Sequence, residues 1–196
     1  MNIIGTSSYG ICLFSVSQLK SFLKDIGKIR TKKLLPFFQK DFKNYIKSLE
    51  KGAWLPIVRI SSLQYVIKVS NAFETFNDDW IEIYSYSDFY IHIGNDNAIW
   101  ISSIGKLLNF DEKEYINSND GIISYNTLDG ETINSAVRYN INEGDYSVTI
   151  KGYKKCNENI GGFLFSFTPL KSPITKYKDP RQDELYKFNE INKFNI

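Results

Sequence analysis

The sequence predicts an α+β fold, mainly β: two N-terminal helices packed on an antiparallel β-sandwich or strongly curved sheet. Three observations carry this. Apolar residues recur at helical spacing only in the first quarter of the chain, and at strand spacing beyond it. Turn signals then return every ~8 to 12 residues, the rhythm of short antiparallel strands. Ile, Tyr and Phe are abundant while Ala and Met are scarce, a bias toward strands. With 42% hydrophobic and 15% aromatic residues, the 196-residue chain is too apolar for general disorder. It is also long enough to bury a core without staples. One domain is expected over residues 1–170, with helices within 17–51 and strands within 54–168, followed by a tail at 171–196.

Ile11 to Val16 reads as a strand. The first helix enters at Ser15 or Ser17, carries Leu19, Phe22, Leu23 and Ile26 on one face, and stops at Gly27. The second starts near Pro36, which the first turn of a helix tolerates. Its apolar face is Phe38, Phe42, Tyr45, Ile46 and Leu49, its opposite face Lys40, Lys43 and Lys47, and Gly52 ends it. Trp54–Ile60 and Leu63–Val69 are strand-like. Trp80–Tyr84 and Phe89–Ile93 alternate and are joined by a Ser/Asp turn, and Ala98–Ser102 follows Gly94–Asn97 as the third strand of a meander. Ile104–Ile116 fits a short helix or an acidic loop. Gly121–Tyr125, Thr132–Ile141, Asp145–Tyr153 and Gly162–Phe167 complete the strands, with Asn142–Gly144 as a turn. Within the tail, 183–192 fits a short helix.

Charge is sorted along the chain, although the net charge is only +2. Residues 18–51 hold ten Lys/Arg against three Asp/Glu, and residues 71–145 hold fourteen acids against three bases. Sorting of this size bears on what a surface attracts. The lysine-coated helical stretch is expected to be solvated and not to bind nucleic acid, because arginine is rare there and the aromatics lie on the apolar stripe. No segment approaches the roughly 18 apolar residues of a membrane span. The stretch Ile11–Val16 has no basic region before it and does not read as a signal peptide, so a cytoplasmic protein without membrane contact is expected. Cys12 and Cys156 are then expected to be free thiols.

Markers of catalysis are absent. There is no phosphate loop, no dinucleotide fingerprint and no nucleophile elbow, and Gly161-Gly162 reads as a turn. The chain's one histidine, His92, falls on the polar face of its strand with Tyr90. One His and two distant Cys make no zinc site, and no calcium-loop spacing occurs. No cofactor or metal is expected, and the chain reads as non-enzymatic. A hydrolase using scattered carboxylates and His92 is the least favoured class.

The segment Arg138-Tyr-Asn-Ile-Asn-Glu-Gly-Asp-Tyr-Ser-Val-Thr-Ile150 resembles the strand–turn–strand late in the competence nuclease inhibitor family, small bacterial β-rich proteins. The whole chain is similar to immunity proteins of bacterial toxin–immunity pairs of the contact-dependent inhibition type: small, motif-free and charge-sorted. The resemblance implies an inhibitor that occludes a toxin's basic active site, a nuclease being the expected target. The candidate partner-binding residues are Asp78, Asp79, Trp80, Glu82, Tyr84, Tyr86, Asp88, Asp96, Asp111 and Glu112. Aromatics would anchor the contact while carboxylates steer it. The alternative is a carbohydrate- or other ligand-binding β-sandwich using the same aromatics as a stacking platform.

Overall fold

A computed structural model of the protein describes residues 2–70, 76–156, 158–171 and 177–193. In chain order its elements are β1 (Asn2–Gly5), β2 (Gly10–Phe14), α1 (Val16–Asp25), α2 (Leu34–Lys40), α3 (Phe42–Glu50), β3 (Leu55–Val58), β4 (Gln64–Ser70), β5 (Trp80–Ile93), β6 (Ala98–Ser103), α4 (Glu112–Ile116), β7 (Ile122–Asn126), β8 (Thr132–Asn140), β9 (Gly144–Lys155) and β10 (Gly161–Pro169). Single 3₁₀ turns occupy Ile104–Asn109 and Phe188–Asn192. The fold is α+β, mainly β.

Two five-stranded sheets form, ordered β1-β4-β10-β9-β5 and β3-β2-β6-β8-β7. Every pair is antiparallel except β4 with β10, which run parallel. Alternation along β2 explains the layering. Ile11 and Leu13 point into a core shared by the two sheets, while Cys12 and Phe14 point the other way, under the helices. β6 repeats this, with Ile99 and Ile101 toward the second sheet and Trp100 toward the helices. The centre of the β2/β6 sheet is therefore a middle layer, buried on both faces. Phe89, Ile91, Val148, Phe163 and Phe165 of the other sheet complete the inter-sheet core.

The N-terminal helices on the middle sheet are three where two were expected. α1 begins as read: Ser15 caps it, its hydroxyl accepting from Gln18 N–H at 3.3 Å, and Gly27 follows it in the left-handed region (φ 70°). The expected second helix is broken at Asp41. That residue ends α2 and caps α3, its carboxylate accepting from the Asn44 backbone N–H at 3.0 Å and side-chain amide at 2.8 Å. Those bonds hold the Asp41 carboxyl below its ordinary pKa. Pro36 is tolerated because it lies in the first turn of α2. α3 ends at Gly52 (φ 56°), where a Cβ would lie 2.4 Å from the His92 backbone nitrogen.

The expected meander at Trp80–Ser102 is also corrected. Trp80–Ile93 is one 14-residue strand, and the Ser/Asp stretch is a bulge against β9 with Asp88 at φ 64°. β6 belongs to the other sheet, so Gly94–Asn97 is a corner between layers. Asp96 at that corner accepts from Ser15 Oγ (2.6 Å), Ser17 Oγ (2.8 Å) and Ser17 N–H (3.2 Å), tying it to the start of α1. Likewise 142–144 carries the chain from β8 in one sheet to β9 in the other. Ile104–Ile116 is a 3₁₀ turn followed by α4. In the tail, 172–176 and 194–196 lie outside the described residues. Between them Phe188 and Ile191 are buried in the inter-sheet core. Cys12 and Cys156 are free, and burial pushes the Cys12 thiol far above its ordinary pKa.

Candidate binding surface

The middle sheet has helices on its outer face. The β1-β4-β10-β9-β5 sheet has none there among the described residues, and side chains outside the core stand on it directly. Val66, Leu164 and Tyr153, from three adjacent strands, meet Phe76 and the half-buried Trp80 and Ile160. Phe76 organises them, its ring centroid 4.4 Å from Trp80 and 4.6 Å from Tyr153, with Lys68 Nζ 4.8 Å above it. Beside this cluster runs a groove of ≈ 1180 Å³ with an apolar wall of Ile3, Leu63, Val66, Ile133 and Ile160. Trp80 and Tyr125 line it too, while Gln64, Lys68, Asp79 and Lys155 supply polar groups. Ile3, Leu63 and Tyr125 are exposed, a concentration of solvent-facing apolar surface unlike scattered single residues.

The ten residues expected to form one acidic, aromatic-bearing face divide into several places. Asp78, Asp79, Trp80 and Glu82 come together at the groove end of β5, with Asp78 and Asp79 exposed on the preceding turn. Tyr84 and Tyr86 turn away. A bulge between Glu82 and Tyr84 inserts one residue against β9, which reverses the alternation and sends both tyrosines into the inter-sheet core. Tyr84 OH donates to the Phe188 carbonyl at 3.3 Å, and Tyr86 packs on Tyr186 and Phe188. Asp88 sits on the second bulge and pairs with Lys178 at 3.1 Å, which holds its carboxyl below the ordinary pKa. Asp96 is engaged at the α1 corner, Asp111 caps α4 by accepting from Lys113 N–H at 3.1 Å, and Glu112 pairs with Lys20 at 2.8 Å. Acids of the central segment thus meet bases from both ends of the chain.

Glu82 is held by two side chains on the open face. Its Oε2 accepts from Lys151 at 2.9 Å and from Tyr153 OH at 2.8 Å. Burial opposes its ionisation, but those bonds and the Lys151 charge prevail and its pKa lies below the ordinary 4.5. Burial and the bond to Glu82 push Tyr153 up to about 12.

At the far end of the same face, His92 Nδ1 lies 2.7 Å from Asp145 Oδ1, which also accepts from Tyr90 OH at 2.5 Å. No Ser, Thr or Cys side chain hydrogen-bonds to His92 among the described residues. Nor do three or more His, Cys, Asp or Glu gather there in a way that could hold a metal ion. Among the described residues no helix is long and apolar enough to cross a membrane. Sequence reasoning missed Ile3, Leu63, Phe76, Tyr125 and Tyr153. Only Tyr153 carried a signal, the alternation of β9.

No family model matches this chain, and no curated protein and no solved structure matches it.

Proposed function

We propose that the protein is a non-enzymatic inhibitor, an immunity protein that neutralises a cognate toxin in the cytoplasm by covering its active site. One observation carries the reading: a sheet face left bare by the helices, on which aromatic and aliphatic side chains surround a groove. A monomer gains nothing from exposing Ile3, Leu63 and Tyr125 together, whereas a partner would bury them. Trp80 and the groove wall are the anchors. Asp78 and Asp79 at the rim are the groups that would steer a basic toxin, such as a nuclease, into contact. In this reading the two layers act as a β-sandwich that presents one face.

The test is a pull-down from the native host with the tagged full chain, washed at low and then high salt. A basic partner recovered in equimolar amount supports the reading, and recovery of the protein alone counts against it. With the partner in hand, Asp78→Lys with Asp79→Lys should slow association by about 10-fold at low salt and flatten its salt dependence. Unchanged kinetics would remove these acids from the interface. A second reading, a carbohydrate-binding module, has one observation in its favour: Trp80 and Tyr125 both line the groove. It requires glycan binding lost on Tyr125→Ala.

A further inference from the structure

The charge sorted along the chain reappears in three dimensions on the outer side of the helical layer. Residues 18–51 hold ten Lys/Arg against three Asp/Glu, and all ten bases are exposed. Elsewhere acids find bases, as Glu82 finds Lys151 and Asp88 finds Lys178. Of these ten bases only Lys20 forms an ion pair among the described residues, with Glu112.

α1 and α3 make this one surface. At one end the Gln18 side-chain amide donates to the Lys51 carbonyl at 2.7 Å, joining the start of α1 to the end of α3. At the other end lies Asp41, whose carboxyl is held low first by its bonds from Asn44 and then by the charges of Lys28 and Lys43. The two helices therefore run in opposite directions over the same sheet. Leu19, Phe22, Leu23, Tyr45 and Leu49 lie beneath them, and Lys20, Lys24, Lys43, Lys47 and Lys51 stand outside.

Two apolar side chains project among the bases. Thr31 N–H donates to the Lys28 carbonyl at 2.9 Å, closing a turn with Ile29 and Arg30 at its tip. Ile29 is 48% exposed there. Phe42, the first residue of α3, is 64% exposed. Ile29 follows Lys28 and Phe42 precedes Lys43, so both tips belong to the end of the layer around Asp41.

We propose that the helical layer docks on an anionic lipid bilayer, its lysines against the headgroups and Ile29 and Phe42 in the interface. Basic residues near such a surface are drawn by its negative potential, and apolar side chains gain by entering the headgroup region. Nucleic acid favours a different surface, with arginine forks for bases or a basic groove that tracks the strand. Nine of the ten bases here are lysine, and an exposed isoleucine gains little against a phosphodiester chain. The expectation of no membrane contact rested on the lack of a spanning segment or signal peptide, and surface docking needs neither. Docked in this way, the protein turns the bare face of its other sheet away from the bilayer. The proposal is thus independent of the inhibitor reading, which uses that face.

The test is co-sedimentation of the full chain with vesicles of phosphatidylcholine, alone or with about 30% phosphatidylglycerol. Binding to the anionic vesicles only is expected, weakening at least about tenfold between about 0.05 M and about 0.5 M salt. Lys24→Glu with Lys47→Glu reverses two exposed charges that have no ion-pair partner. It should weaken binding by about 25-fold or more, since each base near the surface is worth about fivefold. Lys171→Glu with Lys187→Glu makes the same change in net charge outside the helical layer, and should leave binding within about twofold. Phe42→Ser should lower affinity about tenfold. Thermal midpoints close to wild type are expected for all three variants, because every altered side chain is exposed. Absence of binding to the anionic vesicles overturns the proposal. So do equal binding to phosphatidylcholine alone, equal losses in the two charge-reversed pairs, or undiminished affinity in Phe42→Ser. Tighter binding to duplex DNA than to vesicles at equal phosphate concentration would assign the surface to nucleic acid and overturn it as well.

Discussion

The two sheets of this protein live in different surroundings. The middle sheet is buried on both sides at its centre: every residue of β2 and of β6 is buried, one set against the facing sheet and the other under the helices, while β7 at its edge is mostly exposed. The other sheet is fully covered on one side, while on its outer face only the small cluster of Val66, Phe76, Tyr153 and Leu164 is buried among the described residues, and β9 alternates between buried and half-exposed along most of its length. The middle sheet carries stability on two faces, while the open sheet keeps one face free for contact. Its strands are therefore where function is expected, and the middle strands are where mutation should be costly.

Trp54→Ala makes the largest test of that contrast. Trp54 is 2% exposed, stacked on Phe38, and its indole N–H is bonded to Ser48. Truncation should destabilise by about 3–5 kcal/mol in equilibrium urea unfolding. Trp80→Ala on the open face, where the ring is only half-buried, should cost about 1–2 kcal/mol. Equal costs would break the comparison between covered and bare faces.

Gly152→Ala probes the bulge that takes Tyr84 off the open face. A Cβ on Gly152 would lie 2.3 Å from Tyr84 Cζ, and Tyr84 is fixed in the inter-sheet core. Overpacking there should cost about 1–3 kcal/mol. A neutral result in thermal denaturation would mean that Tyr84 can leave the core, and the tyrosine would return to the candidate surface.

Ser15→Ala acts at the corner where the chain passes between the sheets. The Ser15 hydroxyl donates to Asp96, accepts from Gly94 N–H at 3.1 Å and caps α1, so one atom joins the helix to the β5–β6 corner. The expected loss is about 1–2 kcal/mol, read by urea unfolding. Asp96→Asn should lose a comparable amount if the corner is what Ser15 serves, and little if only the cap matters.

This contrast also explains what the sequence could and could not reveal. Periodicity located most strands, because alternation in β9 and unbroken apolar runs in β2 and β6 follow directly from one-sided and two-sided burial. The Ser15 cap and the Gly27 stop were equally legible, being local chemistry. Sheet membership was not. Gly94–Asn97 has the composition of a hairpin turn, yet it joins two layers, a choice made by packing far along the chain. Register was not legible either. Trp80, Glu82 and Tyr84 share a face in any strict alternation, and only the inserted residue after Glu82 separates them. Charge misled for a similar reason: acids clustered in sequence are spread by the fold onto Lys20, Lys151 and Lys178. The groove draws on β1, the segment before β4, β7 and β8, which no local window could join.

Glu82 offers the smallest effect and a sign that is easy to read. Its folded pKa lies below the ordinary value, so its contribution to stability is fully present above the unfolded-state pKa and is lost as pH falls through the folded value. With the side chain 40% exposed, solvent screens the Lys151 pair, and Glu82→Gln should cost less than about 1 kcal/mol at neutral pH. The difference in unfolding midpoint between wild type and Glu82→Gln should shrink as pH drops below about 4.5 and vanish in stronger acid. A difference that grew in acid would mean that desolvation outweighs the bonds from Lys151 and Tyr153. The face would then be drier than a bare sheet allows, and something in the molecule would have to cover it.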